Sequence, residues 1–385
     1  MKPIPYGRHH ITEDDINAVV ETLKSDYLTQ GPAITAFEKA FAEYIGAKYA
    51  VAVNNGTAAL HLCTMALHVK PRDKVITTPI TFAASANCVK YCGGDVIFAD
   101  IDPSTFLMDL NKVEEILKTD LKKEIKGLIP VDFAGYPINA EEYRELADKY
   151  NLWIIEDACH APGAYFTDKF GKKQLSGKGI FSDLTVFSFH PVKHIATGEG
   201  GMITTNSNEL YQRLILLRTH GITKDSSRLK ENHGGWYYEM QDLGYNYRIT
   251  DFQAALGLSQ LKRADWGLNR RNEIAHKYDM AFEGTSVITP KVSKDVFHAY
   301  HLYVILIENR LELYNYLKNN KIYSQVHYIP VHLQPYYKIF GWKSGDMPVA
   351  EKYYEYCLSL PMYPTLTDDE QTFVIEKVIG FFKLQ

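Results

Sequence analysis

Short apolar runs recur through the first 205 residues of the 385-residue sequence, and helix-like or loop segments separate them. The seven runs cover residues 49–53, 75–78, 96–99, 127–131, 153–156, 184–189 and 202–205. Strands that alternate with helical segments form a parallel sheet, because each crossover helix returns the chain to the same edge. The pattern therefore predicts an α/β fold with a mostly parallel central sheet and helices on both of its faces.

The pattern changes near residue 250, where Thr250 and Asp251 provide a cap for a helix whose apolar residues share one face. The elements expected from here on are that helix at 250–261, strands at 301–307 and 323–328, and a closing helix at 368–382. We therefore predict a large domain over residues 1–255, with an N-terminal arm at 1–30, and a smaller α+β domain over 256–385.

Composition and charge exclude several functional classes. With 42 basic and 46 acidic residues, the formal net charge is −4, which argues against a nucleic-acid-binding surface. The five cysteines are odd in number and lack C-x-x-C pairs, so we expect reduced thiols in a cytoplasmic protein and no metal site. Because the sequence has no run of eighteen apolar residues and no apolar leader segment, we expect neither a membrane span nor a secretion signal.

One lysine, Lys193, lies in a glycine-bounded loop directly after the apolar run at 184–187. A lysine considered alone is usually a surface charge. At the end of a strand, however, partial burial would lower the pKa of its amine and make it a nucleophile toward an aldehyde. Lys193 is therefore a candidate catalytic residue.

An acidic residue, Asp157, ends the run at 153–156, upstream of Lys193. Open α/β sheets bind ligands beyond the carboxyl ends of their strands, so Asp157 and Lys193 are expected to lie near each other. The pair suits pyridoxal 5'-phosphate, which needs an amine for its imine and a carboxylate that keeps its pyridine nitrogen protonated. Without Lys193, a helix N-cap would be an equally good interpretation of Asp157.

Two further segments extend this hypothesis. The strand–turn–helix pattern around Gly56 and Thr57 presents backbone N–H groups at a helix N-terminus, where an anion such as phosphate is favoured. Phe82 heads the loop after the run at 75–78, and its ring is either ordinary core or a surface that stacks on the pyridine ring. Neither segment is specific alone, because many strand–turn–helix units share the pattern.

With strand, phosphate turn, aromatic residue, acid and lysine in this order, the sequence resembles the DegT/DnrJ/EryC1/StrS family of sugar aminotransferases from about Ile4 to its last helix. The stretches of closest similarity are LTQGP at 28–32, VDFAGYP at 131–137, YYEMQDLGYNYR at 237–248 and QVHYIPVHLQPYY at 325–337. The resemblance implies fold type I of the pyridoxal-phosphate aminotransferases, with pyridoxal 5'-phosphate bound covalently to Lys193 as an internal aldimine.

The same resemblance implies roles for individual residues. Around the cofactor, Asp157 would pair with the pyridine nitrogen, His160 would lie near the ring hydroxyl, Phe82 would stack on the ring, and Gly56, Thr57 and Ser188 would hold the phosphate. Asn246 would reach the site of the partner subunit, which implies a homodimer with shared active sites. The residues expected to line the nucleotide-sugar site are Tyr6, Asp26, Leu28, Thr29, Asn246, Gln325, Val326, His327 and Tyr328. Arg248 is our candidate for binding the carboxylate of the amino donor.

The resemblance also implies a reaction, the transfer of an amino group from L-glutamate to C4 of a UDP-4-keto-6-deoxy-N-acetylhexosamine. The closest stretches imply one such sugar, UDP-2-acetamido-2,6-dideoxy-β-L-arabino-hex-4-ulose, in pseudaminic acid biosynthesis. One branch of the family carries histidine at the lysine position and dehydrates its substrate, so Lys193 favours transamination. The alternatives are another nucleotide keto sugar as acceptor, and a non-catalytic ligand-binding relative that would have no need for both Lys193 and Asp157.

Overall fold

A computed structural model describes residues 2–383 of the chain. Its strands are β1 (Ile4–Pro5), β2 (Tyr49–Val53), β3 (Lys74–Thr77), β4 (Asp95–Phe98), β5 (Ile125–Ile129), β6 (Trp153–Asp157), β7 (Tyr165–Thr167), β8 (Lys173–Leu175), β9 (Leu184–Ser188), β10 (Gly201–Thr205), β11 (Ile222–Thr223), β12 (Glu239–Met240), β13 (Val296–Phe297), β14 (Tyr303–Leu306), β15 (Ile322–Tyr323) and β16 (Cys357–Leu360). Its α-helices are α1 (Glu13–Leu23), α2 (Pro32–Ile45), α3 (Gly56–Ala66), α4 (Ala84–Tyr91), α5 (Leu110–Thr119), α6 (Ala140–Tyr150), α7 (Asn208–Arg218), α8 (Asp251–Leu261), α9 (Ala264–Phe282), α10 (Arg310–Asn319), α11 (Pro335–Lys338), α12 (Pro348–Tyr356) and α13 (Asp368–Lys383).

The seven runs predicted as strands form one central sheet in the order β2–β10–β9–β6–β5–β3–β4. Its strands run parallel except for β10, which is antiparallel to both of its neighbours, β2 and β9. Strands of such a sheet are buried on both faces, and every residue of β10 is accordingly buried. The predicted α/β fold with a mostly parallel central sheet is confirmed.

The sheet topology brings the ends of distant strands together. β6 ends at Asp157 and β9 ends at Ser188, and these two strands are parallel neighbours in which Asp157 lies opposite Val186. Parallel strands end at the same edge of a sheet, so the loops that follow β6 and β9 share one edge. The loop after β9 carries Lys193 to this edge.

A second core lies in the C-terminal part, where β14 pairs antiparallel with β16 and helices α9, α10 and α13 pack nearby. Tyr278 from α9, Ile305 from β14 and Val378 from α13 are fully buried in it. Ile4 joins this core because β1 pairs in parallel with β15. The proposed division into residues 1–255 and 256–385 stays a prediction.

Two strand predictions in this part need correction. The expected strand at 323–328 is confined to Ile322–Tyr323, because its partner β1 offers only two residues for pairing. The chain beyond it makes one isolated bridge, from Gln325 to Ser359. The expected strand at 301–307 is β14, four residues long, and the sequence does not predict its partner β16.

The cap of α8 also differs from the prediction. Thr250 caps the helix through a capping box with Gln253, as expected. The buried carboxylate of Asp251 instead accepts hydrogen bonds from the backbone N–H groups of Gly31 (2.8 Å) and Ala33 (3.1 Å), at the start of α2. Asp251 therefore holds the N-terminal segment before α2 against α8.

Three further findings concern the described residues as a set. No helix within residues 2–383 is long and apolar enough to cross a membrane. The same residues contain no group of three or more His, Cys, Asp or Glu side chains arranged to hold a metal ion. The five cysteines are free thiols, of which Cys63, Cys88 and Cys357 are buried.

Candidate active site

A cavity with a volume of about 920 Å³ opens at the carboxyl edge of the central sheet. Its walls come from the turn before α3, the loop before α4, the loops after β6 and β9, and the segment 325–331. A cavity of this size is at the upper end for small-molecule sites and would accept a cofactor together with part of a substrate. The predicted site residues that line it are Tyr6, Gly56, Thr57, Phe82, Asp157, His160, Ser188, Lys193, Gln325, Val326, His327 and Tyr328.

The predicted phosphate turn forms the N-terminus of α3. Asn55 caps the helix, because its side chain accepts a hydrogen bond of 2.8 Å from the N–H group of Ala58. The first N–H groups of a helix, here those of Gly56 and Thr57, have no acceptor within it and favour an anion. A Cβ atom on Gly56 would lie 3.1 Å from the Cβ of Ser188, so a side chain there would crowd the turn against β9.

Asp157, the last residue of β6, is buried at the cavity wall. Its Oδ2 atom accepts a hydrogen bond of 2.6 Å from the hydroxyl of Ser85, and its Oδ1 atom accepts one of 3.2 Å from the N–H group of Cys159. The hydroxyls of Ser85 and Thr81 are 2.8 Å apart and hydrogen-bonded. These contacts fix the plane of the carboxylate, as a partner of a pyridine nitrogen requires.

Lys193 lies in the loop after β9, whose backbone turns through a 2.8 Å hydrogen bond from the Lys193 N–H group to the His190 carbonyl. Burial lowers the pKa of the Lys193 amine to about 8, although the neighbouring Cys159 and Asp157 act in the opposite direction. Lys193 Nζ lies 3.4 Å from His301 Nε2. Lys193 is therefore a cavity residue rather than a surface charge, and a usable share of its amine is the free base near neutral pH.

His160 and Tyr328 present neutral polar groups to the same cavity. Burial, and then the charge of Lys193, hold the pKa of His160 well below its usual value. His160 Nδ1 accepts a hydrogen bond of 3.2 Å from the Ala134 N–H group, so the neutral ring carries its proton on Nε2, which lies 3.3 Å from the Tyr328 hydroxyl. Burial raises the pKa of Tyr328, and its hydroxyl stays protonated. Both neutral groups can form a hydrogen bond with the hydroxyl oxygen on the pyridine ring of pyridoxal 5'-phosphate.

The donor set fits pyridoxal 5'-phosphate. The cradle at Gly56 offers helix N–H groups to a phosphate, and Ser188 adds a hydroxyl. A fixed carboxylate, Asp157, and an amine with a lowered pKa, Lys193, line the same cavity. Phe82 also lines it and is 63% exposed, which leaves its ring open to a stacked ligand.

Some predicted residues do not line the cavity of the single chain, namely Asp26, Leu28, Thr29, Asn246 and Arg248. The first three follow α1, where Thr29 bridges to Thr250. Asn246 is exposed and bridges to Thr219, and its neighbour Tyr247 lines the cavity instead. One chain therefore does not bring these five residues to the site.

Several residues that shape the cavity were not among the predicted site residues. Ser85 and Thr81 were signalled only by hydroxyls four positions apart beside Phe82. His301 begins the apolar run at 301–307, where a histidine is unusual. Gly201 starts β10, and a Cβ there would lie 2.7 Å from the Asn55 carbonyl, so this glycine allows β10 to approach the phosphate turn.

Comparison with known proteins identifies the architecture. The sequence profile of the DegT/DnrJ/EryC1/StrS aminotransferase family matches residues 9–379. The chain belongs to this family. Its members are pyridoxal-phosphate-dependent sugar aminotransferases, so the predicted fold type I and the predicted enzyme class are confirmed.

Individual relatives cover almost the whole chain. Spore coat polysaccharide biosynthesis protein SpsC of Bacillus subtilis is 42% identical over 99% of this chain and 97% of its own length. A UDP-4-amino-4,6-dideoxy-N-acetyl-β-L-altrosamine transaminase of Campylobacter jejuni is 38% identical over 99% of this chain and 98% of its own length.

Solved structures agree over the same length. Helicobacter pylori PseC, an aminotransferase involved in the biosynthesis of pseudoaminic acid, has a TM-score of 0.88 and 30% identity over 100% of both chains. The PLP form of the putative sugar aminotransferase Spr1654 from Streptococcus pneumoniae has a TM-score of 0.88 and 31% identity, also over 100% of both chains.

Proposed function

We propose that this enzyme transfers the amino group of L-glutamate to C4 of a UDP-4-keto-6-deoxy-N-acetylhexosamine, with its cofactor held covalently by Lys193. The observation that carries the chemistry is that Lys193, Asp157 and the phosphate turn at Gly56 line one cavity. The β-L-arabino-configured keto sugar is supported by the 38% identity to the Campylobacter jejuni transaminase and by the structural similarity to PseC. On this proposal the enzyme acts in pseudaminic acid biosynthesis.

Each residue has a separate task in this reaction. Pyridoxal 5'-phosphate, when bound, supplies an electron sink for the carbon that loses or gains the amino group. Asp157 orients and balances the charge of the pyridine nitrogen, while Gly56, Thr57 and Ser188 hold the phosphate. The free amine of Lys193 takes a proton from Cα of glutamate and later delivers one to C4 of the sugar. Its pKa of about 8 suits both transfers near neutral pH.

The nucleotide-sugar end of the cavity is the segment from Gln325 to Tyr328 together with Tyr6. The Tyr6 and His327 rings lie 5.2 Å apart, and His327 is fixed by a 2.8 Å hydrogen bond between its Nδ1 atom and the Ser359 hydroxyl. Burial lowers the pKa of His327 to about 3, so its ring is neutral. Flat neutral rings with polar edges suit a uracil base and a sugar.

Charge supports a homodimer with shared sites. The substrates bring a diphosphate and two carboxylates, and the cofactor adds a phosphate. Among the described residues that line the cavity, Lys193 is the only lysine or arginine. A second copy of the chain would supply the missing positive charge through Arg248, and a phosphate contact through Asn246. The segment 236–248, which contains Asn246 and Arg248, also exposes large apolar side chains that a partner subunit would cover, such as Trp236 (76% exposed) and Leu243 (69% exposed).

The second candidate function is amination of a different nucleotide keto sugar. It is supported by the 42% identity to SpsC, a protein of spore coat polysaccharide biosynthesis, compared with 38% identity to the Campylobacter jejuni transaminase. A non-catalytic relative is disfavoured, because both Lys193 and Asp157 are present in the cavity.

The substrate proposal is tested with a panel of UDP-, GDP- and dTDP-linked 4-keto-6-deoxy sugars, with L-glutamate as donor and product identification by NMR. We expect a C4 amine on the UDP-β-L-arabino-hexulose, and no product from the Lys193→Ala variant. Borohydride reduction followed by peptide mapping should locate the cofactor on Lys193. A faster reaction with another nucleotide sugar would refute the substrate, and a cofactor found on another lysine would refute the role of Lys193.

The shared site is tested by mixing Lys193→Ala and Asn246→Ala proteins under conditions that allow subunits to exchange. If Asn246 serves the partner's site, a heterodimer has one site with both defects and one with neither, so activity partly returns. Inactive parents, proven exchange and no recovery would instead assign Asn246 to the site of its own chain.

A further inference from the structure

His301 forms a hydrogen bond with the proposed reactive amine, Lys193 Nζ, and has no task in the proposed reaction. It lies in the short loop between β13 and β14, is buried, and lines the cavity. Its Nε2 atom lies 3.4 Å from Lys193 Nζ, and within the described chain no other hydrogen-bond partner of this amine is found. Its Nδ1 atom is buried and has no partner among the described residues.

Hydrogen bonds to the backbone on both sides of His301 hold this loop in place. Arg271 Nη1 donates hydrogen bonds to the carbonyls of Tyr300 (3.0 Å), His301 (3.3 Å) and Met362 (3.0 Å). The N–H group of Leu302 donates to the Ala134 carbonyl at 3.1 Å. The position of the imidazole is therefore set by a clamped loop and not by the amine that it contacts.

Glycine makes this loop's approach possible. Gly135 has a φ of 100°, and a Cβ there would lie 2.8 Å from the Tyr300 nitrogen and 3.0 Å from the His301 nitrogen. The contact between His301 and Lys193 thus depends on two backbone segments that meet at van der Waals distance.

The other histidines near the lysine have their hydrogen bonds committed elsewhere. His160 Nδ1 accepts from Ala134, and His194 Nε2 donates to the Ala299 carbonyl at 2.9 Å. Burial, and then nearby cations, hold the pKa of both rings well below the usual value, so both are neutral. The titratable and charged groups that face Lys193 and His301 are Asp157, Cys159, His160, His194, Arg271 and His327.

The contacts select one form of His301. A neutral amine is a good hydrogen-bond acceptor and a weak donor, so the stronger contact has the proton on His301 Nε2, donated to the lone pair of Lys193. The opposite tautomer would bury an N–H group at Nδ1 without an acceptor, which is unfavourable. If Lys193 were protonated, its ammonium group would have no lone pair to accept the hydrogen bond from the Nε2–H group of His301.

We infer that His301 is a positioning residue that donates a hydrogen bond from Nε2 to Lys193 and holds the lysine amine as an oriented free base whenever it is not bonded to the cofactor. In the proposed reaction, Lys193 becomes an ammonium when it takes a proton from carbon. The contact with His301 then favours release of that proton to the next carbon, and His301 itself neither gains nor loses one. The inference rests on Lys193 being the reactive amine and is independent of which sugar is accepted.

The test measures the protonation of Lys193 directly, in the full-length chain without cofactor or sugar. Brief reductive methylation with formaldehyde and cyanoborohydride between pH 6 and pH 10, followed by peptide mass spectrometry, gives the fraction of Lys193 that is free base. The exposed Lys39 in the same digest is the internal reference. Wild-type labelling of Lys193 should reach half its maximum near pH 8.

The informative variant is His301→Gln, whose carbonyl oxygen can accept from an ammonium and so removes the preference for the free base. We expect the labelling midpoint to rise by about one pH unit, which is about tenfold slower labelling near pH 7. The control is His298→Gln in the same loop. His298 is buried and its Nδ1 accepts from the Tyr300 N–H group at 2.8 Å, but it makes no hydrogen bond with Lys193.

The outcomes separate the proposal from a purely structural role. A raised midpoint in His301→Gln and an unchanged one in His298→Gln support it. An unchanged or lowered midpoint in His301→Gln overturns it, and so do equal shifts in both variants, which would show a general effect of the loop. If the glutamine variant does not fold, His301→Asn carries the same carbonyl on a shorter side chain and gives the same test. A failure here leaves the proposed substrate untouched, because no sugar is present.

Discussion

Replacement of Gly201 by alanine tests whether the approach of β10 to the turn before α3 builds the phosphate site. A Cβ on residue 201 would lie 2.7 Å from the carbonyl carbon and oxygen of Asn55 and 2.9 Å from the nitrogen of Gly56. Non-bonded atoms in a packed interior are about 3.5–4.0 Å apart, so the turn must move by about 1 Å. β10 cannot yield easily, because it pairs with β2 on one side and β9 on the other.

A displacement of this size would misalign the N–H groups of Gly56 and Thr57 with a bound phosphate. A hydrogen bond to a charged group contributes about 1.5–3 kcal/mol. The loss of one such bond raises the dissociation constant of the cofactor by about 10- to 150-fold. Crowding alone would destabilise the fold by about 1–3 kcal/mol, so the variant should still fold.

The assay is a spectroscopic titration of the cofactor-free protein with pyridoxal 5'-phosphate and, separately, with pyridoxal, which lacks the phosphate. Gly201→Ala should lose affinity for the phosphorylated form only. The matched control is Gly235→Ala, because a Cβ there meets nothing within 4 Å. Both substitutions reduce the conformational entropy of the unfolded chain by the same amount. Equal affinities of the two variants for pyridoxal 5'-phosphate would refute the reasoning. The reasoning would also fail if Gly201→Ala lost as much affinity for pyridoxal as for pyridoxal 5'-phosphate.

Four other measurements test separate parts of the molecule. Asp157→Asn keeps an acceptor but not the charge, so turnover should fall by about a hundredfold with cofactor still bound, and near-normal turnover would make this acid structural. Ser85→Ala removes the 2.6 Å hydrogen bond to Asp157 and should lower turnover by about tenfold or more, whereas Ser85→Thr keeps the hydroxyl and should not. Capture of pyridoxal 5'-phosphate by the cofactor-free chain needs neutral Lys193, so its rate should rise with pH through one midpoint near 8, and a midpoint near 6.5 would implicate a histidine. Arg263→Met should destabilise the fold by about 2 kcal/mol at pH 7, because buried Asp15 loses its ion pair. The destabilisation should become smaller as the pH falls from about 4 to 2, where Asp15 of the wild-type protein takes up a proton and the ion pair is lost anyway. A destabilisation that does not change with pH would refute this prediction.

The central sheet could be predicted because its signal is local. A strand buried on both faces is apolar at successive positions, as in the runs that became β2 and β9, and this pattern needs no knowledge of the partner strand. The meeting of Asp157 and Lys193 followed from topology, since parallel strands end at one edge. The prediction made strand β15 too long, because the length of this strand depends on its partner β1, which lies more than 300 residues earlier in the sequence.

The residues around the reactive groups could not be predicted, because their partners are distant in sequence. Ser85 and Asp157 are 72 positions apart, and Lys193 and His301 are 108 apart. A serine in the first turn of a helix and a histidine in a short loop before a strand carry no local mark of such contacts. The predicted residues outside the cavity, such as Asn246, lie on a surface that meets a second chain in the proposed homodimer.

The histidines near Lys193 bear on its two proposed roles, as a nucleophile and as a proton carrier. Burial lowers the pKa of His160 and His301 far below neutrality, and of His327 to about 3, so these rings add polarity without adding charge. A charged histidine would repel the ammonium form strongly, whereas a carboxylate in direct contact would retain the proton. Neutral rings leave the amine close to its switching point, with a pKa of about 8, so a proton taken from one carbon can be released to another at a small cost in free energy. The neutrality of the cluster therefore matters more to the proposed reaction than the identity of any one ring. His301 is the exception, because among the described residues it is the one hydrogen-bonded to the amine.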